Sequence, residues 1–362
     1  MTLRSTPRWA TVAIVGLVLS LMHPAIAQEG PATTGDAVPG VSRTEIRRFV
    51  EEKMAEFDIP GLALVVVKGP EIALLEGFGL ADPATGVPVD AAETVFRIAS
   101  VSKPLTALAV HRAASDGVLN LDADINDYLE FTISDFDGTA ATTASLLTHT
   151  AGFEDRAIGT MTRDADAVEP LGEWLPSNVP SRLAATGAVH SYSNHGYALA
   201  GHVLERATGA DFRDYTRTRL FEPLGMHSTT FDAVEPEAAA VGHLGKAGDR
   251  TPEDLAYLYN FPAGGAFTTA GDMGNLLLEL LGFEDGVIDA RMRSAMLDPS
   301  YRPHPEVPGR TAGGLIERSV AGTRVVGHGG DIGTFAAEFW LVPEQGIGFF
   351  FAFNAVDLEF SD

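Results

Sequence analysis

A serine and a lysine three residues apart, Ser100 and Lys103, open an apolar run that reads as a helix. At that spacing both side chains lie on one face, one turn apart, so the ammonium approaches the serine hydroxyl. A hydroxyl next to a proton acceptor becomes a nucleophile for acyl transfer. If Ser100 opens the helix, unpaired backbone N–H groups and the positive end of the helix dipole favour negative charge developing beside it. Pro104 fits this placement, because a first-turn residue has no intrahelical N–H bond to lose. A lone S-x-x-K pair is weak, but the chain has only four lysines, Lys53, Lys68, Lys103 and Lys246. One of them falls among Leu105, Ala107, Leu108, Ala109 and Val110. An ammonium buried there is costly unless a partner or a function holds it.

Two further stretches could complete such a site. In Tyr192-Ser193-Asn194, a phenol next to the ammonium would have its anionic form stabilised and could take the proton from Ser100. Asn194 could accept from Lys103 and donate to a substrate carbonyl. Taken alone, Tyr192 reads as a loop tyrosine with a packed ring. Gly327-His328-Gly329-Gly330-Asp331 falls on an expected strand edge. Its glycines would let a substrate backbone approach, and strand N–H groups could face an oxyanion. Taken alone, that stretch reads as a turn beside a surface histidine.

These residues need a scaffold. Ser42 is an expected N-cap for a helix reaching Phe57, with Ile46, Val50, Met54 and Phe57 at helical spacing. Gly61 to Lys68 and Glu71 to Gly79 read as strands joined through Gly69-Pro70. Ser100 to Asp116 reads as a buried helix stopped by Gly117. Residues 120–300 alternate helical patterns (Tyr197 to Thr208, Phe212 to Leu220, Ala270 to Leu281) with loops. Beyond Pro308, Thr311 to Val320, Thr323 to His328, Phe335 to Val342 and Gly346 to Asn354 read as strands. Strands at both ends around a helical middle predict an α/β (α+β) chain with one sheet built from both termini.

The first 27 residues are read as a leader rather than as core. Arg4 and Arg8 precede the apolar run Ala10 to Met22, and Ala25-Ile26-Ala27 offers small residues for a signal peptidase to cut after Ala27. That run is too short to span ~30 Å of hydrocarbon. Residues 28–40 form a Gly-, Pro- and Thr-rich lead-in, and residues 41–362 the working unit. The expected product is periplasmic or secreted, with no stable membrane insertion. Without a single cysteine there is no disulfide, thiol nucleophile or thiolate metal site. The net charge of −24, which becomes −26 without Arg4 and Arg8, opposes nucleic acid and anionic membranes as partners. A small molecule or peptide remains, and oligomeric state is not legible.

In order and spacing the chain resembles the superfamily of class C β-lactamases, serine D-alanyl-D-alanine carboxypeptidases and family VIII esterases. Six stretches carry the resemblance: Phe96 to Leu108, Leu146 to Phe153, Tyr192 to Gly201, Phe221 to Phe231, Pro262 to Met273 and Gly327 to Phe335. It implies a β-lactamase/transpeptidase-like fold and an acyl-enzyme on Ser100, with no metal or organic cofactor. Lys103 would lower the proton affinity of Ser100, and Tyr192 would serve as general base and protonate the leaving group. Asn194 would contact a substrate amide, and the N–H groups of Ser100 and Asp331 would form the oxyanion hole. His328 stands where the β-lactamases carry the lysine of K-T-G, so a fixed cation and a hydroxyl for the penicillin carboxylate are missing. That favours a peptidase or an esterase over an efficient β-lactamase. Such relatives continue past the last strand into a helix over the sheet, so either the protein extends beyond Asp362 or another element covers that face, and the sequence is consistent with both.

Other classes fit less well. There is no G-x-S-x-G, no H-E-x-x-H and no phosphate or dinucleotide glycine pattern. His149, in Leu146 to Phe153, is read as a structural histidine that satisfies loop backbone. A non-catalytic penicillin sensor of the same fold is the remaining alternative, although such proteins usually lose the serine, lysine or tyrosine.

Overall fold

The computed structural model describes residues 37–38, 41–233, 236–254, 256–284 and 286–356, so the candidate leader and most of the lead-in lie outside the described residues. Helix α1 (Arg43–Phe57) starts as its sequence dictates. The Ser42 hydroxyl accepts from the Glu45 N–H, and the Glu45 carboxylate accepts from the Ser42 N–H, a reciprocal cap. Asp58 ends the helix in the left-handed conformation, and the chain turns into the sheet.

Among the described residues the main sheet has nine strands, and its long members come from both ends of the chain. They are β1 (Gly61–Lys68), β2 (Glu71–Asp82), β3 (Ile316–Val320), β4 (Thr323–Asp331), β5 (Ala336–Val342) and β6 (Ile347–Phe353). Their order across the sheet is β3-β4-β5-β6-β1-β2, every neighbouring pair antiparallel, with two-residue or three-residue strands at the edges. The β6–β1 pairing, Phe350 opposite Val65, joins the two termini.

The centre of this sheet is apolar on both faces, which explains its continuous rather than alternating pattern. Ala63, Val65, Val67, Phe350 and Ala352 face one core, against the helical region. Leu62, Leu64, Val66, Phe349, Phe351 and Phe353 face a second core, closed by Ile46, Val50 and Met54 of α1. Each large apolar side chain buried this way contributes roughly 1.5–3 kcal/mol. Helix α1 thus packs on this second face of the sheet.

Helix α2 (Ser102–Ser115) is buried from Ser102 to His111, as its all-round apolarity requires. It packs against α3 (Asn194–Thr208), while α4 (Ala270–Leu281) packs on β1 and β6. Three expectations are corrected. Helix α3 begins three residues early because the Ser193 hydroxyl caps it by accepting from Gly196 N–H. Phe212 to Leu220 is α-helical only to Thr216 and then widens into a π turn, Arg217–Phe221. The run from Thr311 splits, because Gly314 takes φ +73° in a turn between Arg310–Thr311 and β3.

Candidate active site

Ser100 does not open α2 directly. It sits in a short 3-10 turn, Ala99–Val101, that leads into the helix, and Ala99 before it is held at φ +47°. That left-handed residue is costly without glycine and turns the chain sharply at the serine. One turn on, Lys103 is fully buried. Its Nζ donates to Ser100 Oγ at 3.1 Å, Asn194 Oδ1 at 2.7 Å and the Ala263 carbonyl at 2.8 Å. Tyr192 Oη donates to Ser100 Oγ at 2.9 Å, and its ring lies 4.7 Å from the lysine nitrogen. The hydroxyl, amine and phenol required by the sequence reading thus converge on one oxygen.

Their ionisation differs from that reading. Burial pushes Lys103 down to about 7, with the Asp155 carboxylate opposing it. Burial also pushes the Tyr192 phenol up, against the hydrogen bond to Ser100. Desolvation outweighs that hydrogen bond, so the resting tyrosine holds its proton, while the lysine shares the neutral form near pH 7.

The glycine-rich strand divides by face. Gly330 packs on the nucleophile turn so closely that an added Cβ would stand 2.8 Å from Ser100 N and 2.3 Å from the Ile98 carbonyl. Asp331 lines the cleft beside it. Gly329 faces the other way: a Cβ there would meet the Glu338 carboxylate at 2.8 Å, and that carboxylate accepts from Trp340 Nε1. His328 is buried rather than a surface residue, with its ring 6.2 Å from the Tyr192 ring and Nδ1 donating to the Gly329 carbonyl at 2.6 Å. Burial first, and then the charges of Lys103 and Arg310, hold it down to about 3, so it carries no charge at neutral pH.

Two cavities flank the Tyr192–Ser100 contact. One, of about 500 Å³, is lined by Ser100, Asn194, Arg156, Leu258, Asp331 and Thr334 and is mostly apolar. The other, about 250 Å³, has Tyr192, His149, His328, Arg310 and Ile316 in its walls. Asn194 reaches the first cavity with one amide hydrogen already given to Asp155. Sequence reasoning missed Asp155 and the Ala263 carbonyl. Neither has a spacing signal, since both meet the site only through the fold.

Residues 46–362 match the Beta-lactamase family. The chain belongs to that family. Penicillin-binding protein 4 of Amycolatopsis lactamdurans is 31% identical over 74% of this chain and 67% of its own length. Esterase EstB of Burkholderia gladioli is 33% identical over 53% of this chain and 52% of its own. A D-aminopeptidase of Cereibacter sphaeroides is 26% identical over 82% and 57%. The chain therefore spans from about half to two thirds of the length of these relatives. Its fold matches that of the octameric penicillin-binding protein homologue from Pyrococcus abyssi, with TM-score 0.76 and 24% identity over 86% of this chain and 73% of that one. Like the esterase and the D-aminopeptidase, the chain is a β-lactamase-fold serine hydrolase relative. Among the described residues no helix is long and apolar enough to cross a membrane.

Proposed function

We propose that this chain is an exported hydrolase that transfers an acyl group from an ester or amide to water through an ester on Ser100. One observation carries the reading: Ser100 Oγ, in the wall of a cleft of about 500 Å³, is within 3.1 Å of Lys103 Nζ and 2.9 Å of Tyr192 Oη.

Near pH 7 the neutral fraction of Lys103 takes the Ser100 proton as Oγ attacks the carbonyl carbon. The N–H groups of Ser100 and Asp331 receive the oxyanion. As the carbon–heteroatom bond breaks, the proton returns by way of the Tyr192 hydroxyl to the leaving atom. Water then attacks the ester, its proton follows the reverse path, and Ser100 is restored. Tyr192 thus acts as a relay and an acid before it acts as a base. This differs from the phenolate role expected of it from sequence.

The apolar cleft supports acyl binding there, with the leaving group in the smaller cavity beside Tyr192. A neutral, buried His328 offers no fixed cation for a penicillin carboxylate. That favours peptidase or esterase chemistry, with weak β-lactam turnover at most. The test is a parallel screen of nitrocefin, p-nitrophenyl esters of increasing acyl length and D-Ala-D-Ala peptides, with fluorophosphonate labelling. Hydrolysis of an ester or peptide, with the label on Ser100, is the expected result. A stable penicillin adduct without turnover of any substrate would replace this reading with the sensor. Export is tested by N-terminal sequencing of the exported protein, which should begin at Gln28.

A further inference from the structure

The loop carrying Tyr192, and Asn194 where it enters α3, are held chiefly by one short segment, residues 149–155. Ser191 N–H donates to the His149 carbonyl at 2.8 Å, and Ser191 Oγ to the Phe153 carbonyl at 2.8 Å. Ser193 N–H donates to His149 Nδ1 at 3.1 Å. Asn194 gives Asp155 two bonds of 3.0 Å, from its backbone N–H and from Nδ2. The His149 ring lies 4.4 Å from the Tyr192 ring. His149 therefore grips the residues on both sides of Tyr192 and the tyrosine ring itself.

We propose that His149 and Asp155 are positioning residues, His149 fixing Tyr192 and Asp155 fixing the Asn194 amide against Lys103. This rests on the Ser100 reading above. His149 is buried and sits at φ +58°, a left-handed conformation in which His, like Asn and Asp, is enriched among non-glycine residues. Burial, followed by the charge of Lys103, holds its ring well below the usual range, and the neutral ring is the form that leaves Nδ1 free to accept. The segment is itself anchored: Thr150 N–H bonds the Ser145 carbonyl, Leu183 N–H the Gly152 carbonyl, and Arg182 Nε the Ala151 carbonyl.

Asp155 acts through orientation. Its two oxygens accept from Asn194, which leaves Asn194 Oδ1 as the atom facing the lysine. Burial works against its charge, but His195, the Asn194 N–H and Lys103 outweigh it and hold the carboxyl below its ordinary range. Around Lys103 the other titratable groups are Tyr192, Tyr197, His149 and His328, so Asp155 is the anion set against it.

Three variants of the full chain separate these roles, read on the best ester or peptide of the screen. H149N tolerates the left-handed backbone, and its Oδ1 replaces the Nδ1 acceptor. H149F keeps a ring and loses the acceptor. D155N keeps the volume and removes the charge. H149N should stay within ~5-fold of wild-type kcat, while H149F loses ~30-fold or more with KM within ~3-fold. D155N should lose ~10-fold in kcat, and the acid limb of kcat/KM should move to lower pH, because Lys103 loses the anion that raises its proton affinity. Equal losses in H149N and H149F would overturn the role of His149. An unmoved limb with wild-type kcat in D155N would overturn that of Asp155. If H149F melts far below wild type, H149N and D155N still decide, since neither adds bulk. A wild type that neither labels at Ser100 nor hydrolyses anything sinks the serine reading itself; an active wild type with indifferent variants sinks only this inference.

Discussion

Ser100 and Lys103 share one continuous turn and helix, whereas Tyr192 reaches Ser100 from 92 residues further along the chain. The first pair is placed by helical geometry and by a core that buries α2 from Ser102 to His111. Tyr192 rests on irregular backbone just before α3 and is placed by hydrogen bonds that its neighbours Ser191, Ser193 and Asn194 donate to residues 149–155. The helical half is rigid because its neighbours are apolar and close-packed. The loop half is rigid only while each donor has its acceptor. Substitutions in the first half should therefore change chemistry and leave the fold intact, while the second half should show graded losses that follow individual bonds.

The largest effect belongs to the helical half. Ser100→Ala should abolish turnover and fluorophosphonate labelling, a loss of at least ~10³-fold, as when a nucleophile is deleted. Its melting temperature should stay within a few degrees of wild type. Hydrolysis at near wild-type rates on every active ester or amide would remove Ser100 from the mechanism.

Lys103→Met comes next, with a rate loss of ~10³-fold expected, since an aliphatic side chain cannot take the serine proton. It also tests burial. The folded lysine sits at about 7, below the ~10.4 of an unfolded chain, so between those values the unfolded state binds the extra proton. Wild-type stability should consequently climb from about pH 7 to pH 10, and the Met variant should lack that climb. Denaturant titrations across this range check the sign: parallel curves would mean that Lys103 is not desolvated as described.

The loop half should respond less. Tyr192→Phe keeps the ring against His149 and deletes the hydroxyl that relays the proton, for a loss of ~10² or more. Because Lys103 remains, the rise of kcat/KM through about pH 7 should survive in the variant. A profile whose limb near pH 7 disappeared with the hydroxyl would return the base role to Tyr192.

The same contrast explains what was legible beforehand. The Ser100–Lys103 pairing, the capped α1 and the apolar runs of β1 and β6 are local patterns with a fixed period, and local periods survive in one dimension. Tyr192, Asn194 and the strand holding Gly330 were found through the order of motifs. His149 was read as satisfying loop backbone, and the Ser193 N–H is a group it satisfies; the Asp155–Asn194 pair leaves no such trace, because only the folded chain brings Asp155 to the start of α3. The ionisation of Tyr192 was misread for a related reason: the neighbouring ammonium is visible in sequence, but the depth of burial that overrides it is not.

The smallest expected change is a gain, and it probes the strand between the two halves. His328→Lys would restore a cation where the family's β-lactamases have one. A charge-assisted bond to a carboxylate is worth roughly 1.5–3 kcal/mol in favourable settings. Here the site is buried, and Lys103 and Arg310 already oppose positive charge at this position. Both effects would push the new ammonium toward its neutral form, so the gain in nitrocefin acylation should be only ~3- to 10-fold. Protonation increases as pH falls, and the advantage over wild type should therefore be greater at pH 6 than at pH 8. A rate ratio that is flat across this range, or no gain at either pH, would mean that the cavity beside Tyr192 does not receive the carboxylate.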